Sequence, residues 1–216
     1  MTVIEAKSKD LRYVNGTLKQ SVNGKPVIVK DAGHLHGLAA GLQAGEVVVE
    51  GGGGDYLGVL NAGALITVED NVGKYLADNM NSGTVIIKGN AGYGAGMYCY
   101  GGTLVIHGDA GDFTGSMNKG ANIIIAGNVG DEVGTYMLAG DLVVVGNAGK
   151  NFANFLIRGN VFIKGDWESL GHNTRQVPLT AEDMTRLAGY FETYGISAAP
   201  AEFKKLIAAS EKPFYH

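Results

Sequence analysis

Short runs rich in β-branched residues alternate along the chain with glycine-rich polar turns. The runs fall at 47–49, 66–68, 85–87, 104–106, 123–125, 142–144 and 161–163, and their composition and length predict short strands. G-x-x-G-x-x-x-G turns follow, at Gly89/Gly92/Gly96, Gly108/Gly111/Gly115 and Gly127/Gly130/Gly134, with weaker copies at Asp70/Gly73/Ala77 and Gly146/Gly149/Ala153. Gly54, Gly73, Gly92, Gly111, Gly130 and Gly149 are each nineteen residues apart. Gly33 precedes Gly54 by twenty-one, which reads as a first turn with a two-residue insertion. A fixed period of about 20 residues marks a stacked repeat architecture. The repeat lacks the i, i+3, i+4, i+7 spacing of a helical one. Nineteen mostly extended residues, bent by glycines, suffice for one coil of a β-helix whose coils stack about 4.8 Å apart as parallel strands.

Side chains along such strands alternate between the two faces. Leu104 with Ile106 and Ile123 with Ile125 are expected to face inward, each buried aliphatic side chain contributing about 1.5–3 kcal/mol. The column between them should face outward, yet it holds Val48, Thr67, Ile86, Val105, Ile124, Val143 and Phe162. Strands apolar on both sides belong to sheets covered on both faces. The chain's own tail or other polypeptides are therefore expected to cover this stripe. Asn71, Asn90, Asp109, Asn128, Asn147 and Asp166 form a further column after the first residue of each turn. Asn and Asp tolerate left-handed backbone and bond nearby main chain, and stacked Asn can form ladders, so turn chemistry is the expected role.

After Trp167 the beat stops. Thr180 is a plausible N-cap followed by Glu182 and Asp183 in a first turn, with Met184, Leu187, Ala188 and Phe191 on one face and Gly195 as terminator. A second short helix is predicted from Pro200, with Phe203, Leu206 and Ile207 on one face. Before Ile28 the chain reads as irregular, with a turn at Asn23-Gly24. The expected fold is all-β: a single-stranded right-handed parallel β-helix of about seven coils over 26–167, an N-terminal extension over 1–25 and a helical C-terminal tail over 168–216.

A net charge of −4 and no Lys/Arg cluster argue against a nucleic-acid partner. No apolar run approaches the roughly 18 residues needed to cross a bilayer, and the first residues lack the apolar core of a signal peptide. One cysteine, Cys99, cannot form an internal disulfide, so a cytoplasmic location is expected. Thirty-five glycines exceed average usage, but their periodicity argues against disorder.

Candidate chemistry is thin. The glycines at 51–54 and 92–96 resemble phosphate-cradling loops, but such loops open a helix in a βαβ unit, and no helix follows here. His34 and His36 lie on one side of a predicted strand without the further ligands a metal site needs. His107 shares a column with Glu69, Lys88 and Lys164, a solvated rim. Cys99 shares one with Met80, Met137 and Leu156, which favours a buried thiol. Asp109, Asp112 and Asp131 are the one carboxylate set a β-helix hydrolase or lyase could use, but their columns mix with Asn, Tyr and Lys as exposed turns do. No catalytic, cofactor-binding or metal-binding residue is assigned.

The repeated glycine turns resemble the β-helix family at the C-terminal end of the glutamate synthase large subunit. The similarity covers 33–167 and continues into the tail. The resemblance implies a scaffold without catalytic residues. It also implies a standalone subunit such as that of N-methylglutamate synthase, a methylamine–glutamate N-methyltransferase-type complex. The implied hetero-oligomeric partners are a glutamine-amidotransferase-like chain and an FMN-binding chain, the latter carrying FMN and an iron–sulfur cluster. The alternative is the related β-helix scaffold subunit of formylmethanofuran dehydrogenase and of the formyltransferase/hydrolase complex.

Overall fold

The computed structural model describes residues 2–21, 24–210 and 212. The chain is a parallel β-solenoid of about seven turns. Its main strands are β1 (Thr2–Glu5), β2 (Val27–Lys30), β3 (Glu46–Glu50), β4 (Ala62–Val68), β5 (Ser82–Ile87), β6 (Thr103–Ile106), β7 (Lys119–Ile125), β8 (Ala139–Val144) and β9 (Asn160–Ile163). They pair in sequence order and in parallel. Val47 aligns with Ile66, then Val85, Leu104, Ile123, Leu142 and Val161, every step nineteen residues. These residues and the column from Val49 to Ile163 are wholly buried, so the interior is one continuous stack of aliphatic side chains. The predicted inward pairs, Leu104 with Ile106 and Ile123 with Ile125, are among them.

Two further walls close each coil. One is a line of single bridges through Val72, Ala91, Ala110, Val129, Ala148 and Trp167. The other is a turn wall in which every second residue takes left-handed backbone, for example Phe113, Gly115 and Met117, then Glu132, Gly134 and Tyr136. That alternation aims successive amides in opposite directions along the stack. Phe113 and Met117 donate forward to the Asp131 and Thr135 carbonyls at 2.9 and 2.8 Å, while Gly115 donates back to Ala95 at 2.8 Å. Left-handed backbone costs a non-glycine residue about 1–2 kcal/mol. Satisfying both neighbouring coils at once offsets that cost.

The glycine beat has a different cause from the turn conformation it resembles. Gly111 and Gly130 are absent from the left-handed positions, which fall instead at Gly96, Gly115 and Gly134. A Cβ on Gly111 would lie 2.8 Å from the Tyr93 nitrogen, and one on Gly130 would lie 2.8 Å from the Asp112 nitrogen. Glycine recurs there because successive coils approach too closely for any side chain. The column begins at Gly54, where a Cβ would meet the Leu35 carbonyl at 2.5 Å. Gly33 is thus not its first member, and the first coil carries one extra residue between strands, Val27 aligning with Val47.

The N-terminal residues are regular rather than irregular. β1 extends the sheet by one rung, and α1 (Leu11–Ser21) buries Val14 and Leu18 against the first coil. Asn15 ties this helix down, accepting from the Ala39 amide and donating to the Gly37 carbonyl. Of the expected Asn23-Gly24 turn, Asn23 lies outside the described residues, and Gly24 has φ of 92°.

After the last coil, β10 (Thr174–Val177) leads to α2 (Ala181–Tyr194). Thr180 caps α2 reciprocally with Asp183, and Gly195 ends it in left-handed backbone. Leu187 and Phe191 are buried, Met184 is half-buried, and Ala188 is exposed rather than packed. The second predicted helix is instead a single 3-10 turn at Pro200–Glu202 followed by β11 (Lys204–Ala208). β11 inserts antiparallel between β9 and β10. The spacing of Phe203, Leu206 and Ile207 fits a helix, but the final rung would otherwise present a row of unpaired backbone groups, and pairing prevails.

The tail covers the outward stripe over the later rungs. Val105, Ile124, Val143 and Phe162 form a second core with Leu187, Phe191, Ile196 and Phe203. Asp141 anchors the helix through Arg186 at 3.3 Å and the Tyr190 hydroxyl at 2.8 Å, and Asp183 bonds Lys205 at 2.8 Å. Burial, and the Asp141 carboxylate beside it, push the Tyr190 hydroxyl well above its usual range. Burial also pushes the Asp183 carboxyl up, but the Lys205 ammonium and the Thr180 amide and hydroxyl outweigh it and hold it low.

Candidate functional site

The three candidate aspartates are fastenings between coils. Asp109 Oδ1 accepts from the Asn128 amide at 2.7 Å, Asp112 Oδ1 from the Asp131 amide at 2.9 Å, and Asp131 Oδ1 from the Lys150 amide at 2.8 Å. The Asn/Asp column does the same up to Asn147, while Asp166 at its end accepts from the Lys204 ammonium. Asn71, Asn90, Asn128 and Asn147 each take the amide of residue 90, 109, 147 and 166 respectively, at 2.7–2.9 Å. The ladder therefore runs from side chain to backbone. A carboxylate whose oxygen is spent on a main-chain amide is held in place, and the three do not converge on a common point.

The glycine loop at 92–96 is similarly committed. The amides of Gly92, Gly94 and Gly96 donate to Gly73, Asp112 and Leu76 carbonyls at 3.1, 2.8 and 2.8 Å, leaving none of these to cradle a phosphate. The residues here therefore do not fit a flavin or nucleotide phosphate. His36 accepts from the Asp55 amide at 3.0 Å and His34 lies 3.3 Å from the Lys9 carbonyl. Among the described residues no three His, Cys, Asp or Glu side chains are grouped to hold a metal ion. Cys99 is fully buried, donates to the Ala77 carbonyl at 3.1 Å, and is pushed up to about 12 by burial. At neutral pH it is a thiol, not a nucleophilic thiolate. Its column also holds Asn61 and Asn118, buried but satisfied by bonds to Ala64 and Ala121. Burial and Lys88 hold the His107 ring below the usual imidazole range.

What the molecule does present is an aromatic turn wall. Tyr56 stacks on Tyr75 at 4.8 Å between ring centres, and Tyr75, Tyr93 and Phe113 continue the row at 5.5 and 5.3 Å. A second row joins Tyr136, Phe155 and His172 at 5.4 and 5.5 Å. Beside it lies a surface groove of about 490 Å³ lined by Tyr98, Met117, Lys119, Tyr136, Leu138 and Ile157. Tyr98 and Leu138 are exposed, as is Tyr100 at the margin. Lys119 donates to the Tyr100 hydroxyl at 2.8 Å and lies 4.0 Å above that ring. No carboxylate among the described residues pairs with it. Cation–π contact holds the ammonium at the edge of an apolar surface.

Sequence reasoning missed this groove, although its signal was present. Tyr98, Met117 and Tyr136 are nineteen apart, as are Lys119, Leu138 and Ile157. Tyr98, Met117 and Tyr136 all take left-handed backbone and, with Lys119, Leu138 and Ile157, line the outside of the turn wall, while Met80, Cys99, Met137 and Leu156 fill its inside. The described residues contain no helix long and apolar enough to cross a membrane. Compared with protein-family models and with curated proteins, the chain matches none.

Proposed function

We propose that this chain is a non-catalytic structural subunit of a glutamate-synthase-type complex working in the cytoplasm. Its best fit is N-methylglutamate synthase, which makes N-methylglutamate from glutamate and methylamine. There it holds a glutamine-amidotransferase-like subunit against an FMN-binding synthase subunit, with FMN and an iron–sulfur cluster carried by the latter. The observation that carries the scaffold role is how the polar side chains are spent. Asp109, Asp112 and Asp131 grip the next coil's amides, which gives a stiff rod, while the apolar surface at Tyr98, Met117 and Leu138 faces outward. An exposed apolar patch of this kind marks an interaction surface. The choice of complex rests on the resemblance of the repeated glycine turns.

Affinity capture of the tagged chain from its source, followed by mass spectrometry, tests the reading. An amidotransferase-like chain and a flavoprotein are expected. Recovery of a metal-dependent amidohydrolase would move the scaffold to a formyl-transfer complex, and a stable monomer capturing neither set would end the proposal. Changing Asp109, Asp112 and Asp131 to Asn should leave the activity of the assembled complex nearly untouched, whereas a hydrolase or lyase using them would lose it.

A further inference from the structure

We infer that the Tyr98–Met117–Tyr136 groove receives a segment of a partner polypeptide that carries an acidic side chain between large apolar ones. The inference rests on the assembly role proposed above, though not on which complex is formed. Three features define the occupant. Five of the six lining residues are aromatic or aliphatic, so the segment must bury apolar side chains to gain affinity. The sixth is Lys119, whose ammonium touches the Tyr100 hydroxyl and ring and has no carboxylate partner among the described residues. No acidic residue lines the groove, so its charge is complementary to Asp or Glu. Closing the groove over that ammonium without a counter-charge would leave a desolvated cation, whereas a carboxylate replaces the lost water.

The shape argues for polypeptide rather than for a small molecule. A small ligand of this size is bound in a cleft that buries 70–90 % of its surface. Here the lining residues come from successive coils along one outer wall, and Tyr98 and Leu138 are exposed. The groove therefore runs along the rod with a repeat of about 4.8 Å, a surface for a chain segment to lie on. Tyrosine and methionine at its centre suit such use, being rigid and adaptable anchors respectively.

The test selects binders from a random dodecapeptide display library on the immobilised full-length chain, then measures a synthesised winner by fluorescence anisotropy. Winners are expected to hold Asp or Glu flanked by Leu, Met, Phe or Tyr. Binding should fall at least about tenfold with Lys119→Glu, with Leu138→Asp, and when the peptide's acidic residue becomes Gln, while circular dichroism melts stay at wild type. Absence of enrichment, enrichment of basic sequences, or winners indifferent to Lys119→Glu would overturn the inference. So would displacement by laurate, which would make the site one for small amphiphiles. Tighter peptide binding after deletion of residues 211–216 would assign the groove to the chain's own C-terminal residues and overturn it too. The selection needs no partner subunit, so its failure alongside successful capture of the complex would sink the groove and leave the scaffold role standing.

Discussion

Val143 and Val48 occupy the same outward column of one sheet, yet Val143 is wholly buried and Val48 is only half-buried. The difference lies in the returning tail. Over the later rungs α2 lays Leu187 and Phe191 on the column, Ile86 packs at the margin of that cluster, and Val48 and Thr67 lie outside it. The neighbouring outward column records the boundary. It holds Glu50, Glu69, Lys88 and His107 over the earlier rungs, then Ala126 and Val145 against the cover, and ends at Lys164, which pairs with Glu202. Charged side chains under or beside the cover are instead paired, Asp141 with Arg186 and Lys164 with Glu202.

The comparison assumes rungs held in register beneath both halves, and Gly130→Val should break it most severely. The new Cβ would press on the Asp112 backbone and displace the carboxylate that bonds Asp131. A loss above about 4 kcal/mol in denaturant unfolding is expected, with both halves melting together. Next, Asp183→Asn should loosen the cover itself. It leaves Lys205, only 13 % exposed, without its counter-ion, a change worth about 3–5 kcal/mol. The Asp183 carboxyl is held below its unfolded value of about 3.9, so its contribution is present above that pH and is lost as pH falls through the folded value. The gap between wild type and variant should stay constant from neutrality to about pH 4 and shrink below it.

A matched pair then sharpens the comparison. Val143→Ala should cost about 2 kcal/mol and Val48→Ala less than about 1, because only the first site is fully desolvated. Equal losses in urea unfolding would mean that the tail contributes no burial. The smallest effect is expected for Thr67→Lys, within about 0.5 kcal/mol, since its rung lies open and the adjoining column already carries charge. A large loss there would mean the earlier rungs are covered after all.

The coil, its period, its inward columns and the capped helix α2 were legible because each depends on residues within one repeat or one turn of helix. What was hidden depends on neighbours that only the stack supplies. Gly111 and Gly130 look like turn glycines, but their reason is the main chain of the preceding coil. Phe203, Leu206 and Ile207 have helical spacing, but the open edge of β9 draws the chain from Lys204 onward, Leu206 and Ile207 included, into a strand. Leu11, Val14 and Leu18 held a readable helical stripe that was overshadowed by the repeat beginning downstream. The outward stripe read as needing cover; tail and partner could not be separated until the tail was seen to bury Val105 to Phe162, with Ile86 at its margin. Tyr98 and Lys119 keep the nineteen-residue spacing, but which residues of this turn face outward is set by the left-handed backbone of Tyr98 and Met117, which spacing alone does not give.

The corner fastening has a consequence for how such a rod changes size. From Asn71 to Asn147 each Asn or Asp of the column holds the amide nineteen residues ahead, so the coils between 71 and 166 are joined by the same link. Excising 109–127 would bring the Asn128 amide to Asn90, restoring an equivalent bond and shortening the molecule by about 4.8 Å. Removing one residue fewer would leave a coil with one extra residue to be taken up in its turns, as the first coil does between Val27 and Val47. The rod thus lengthens or shortens by whole coils, while a single extra residue is taken up inside one coil.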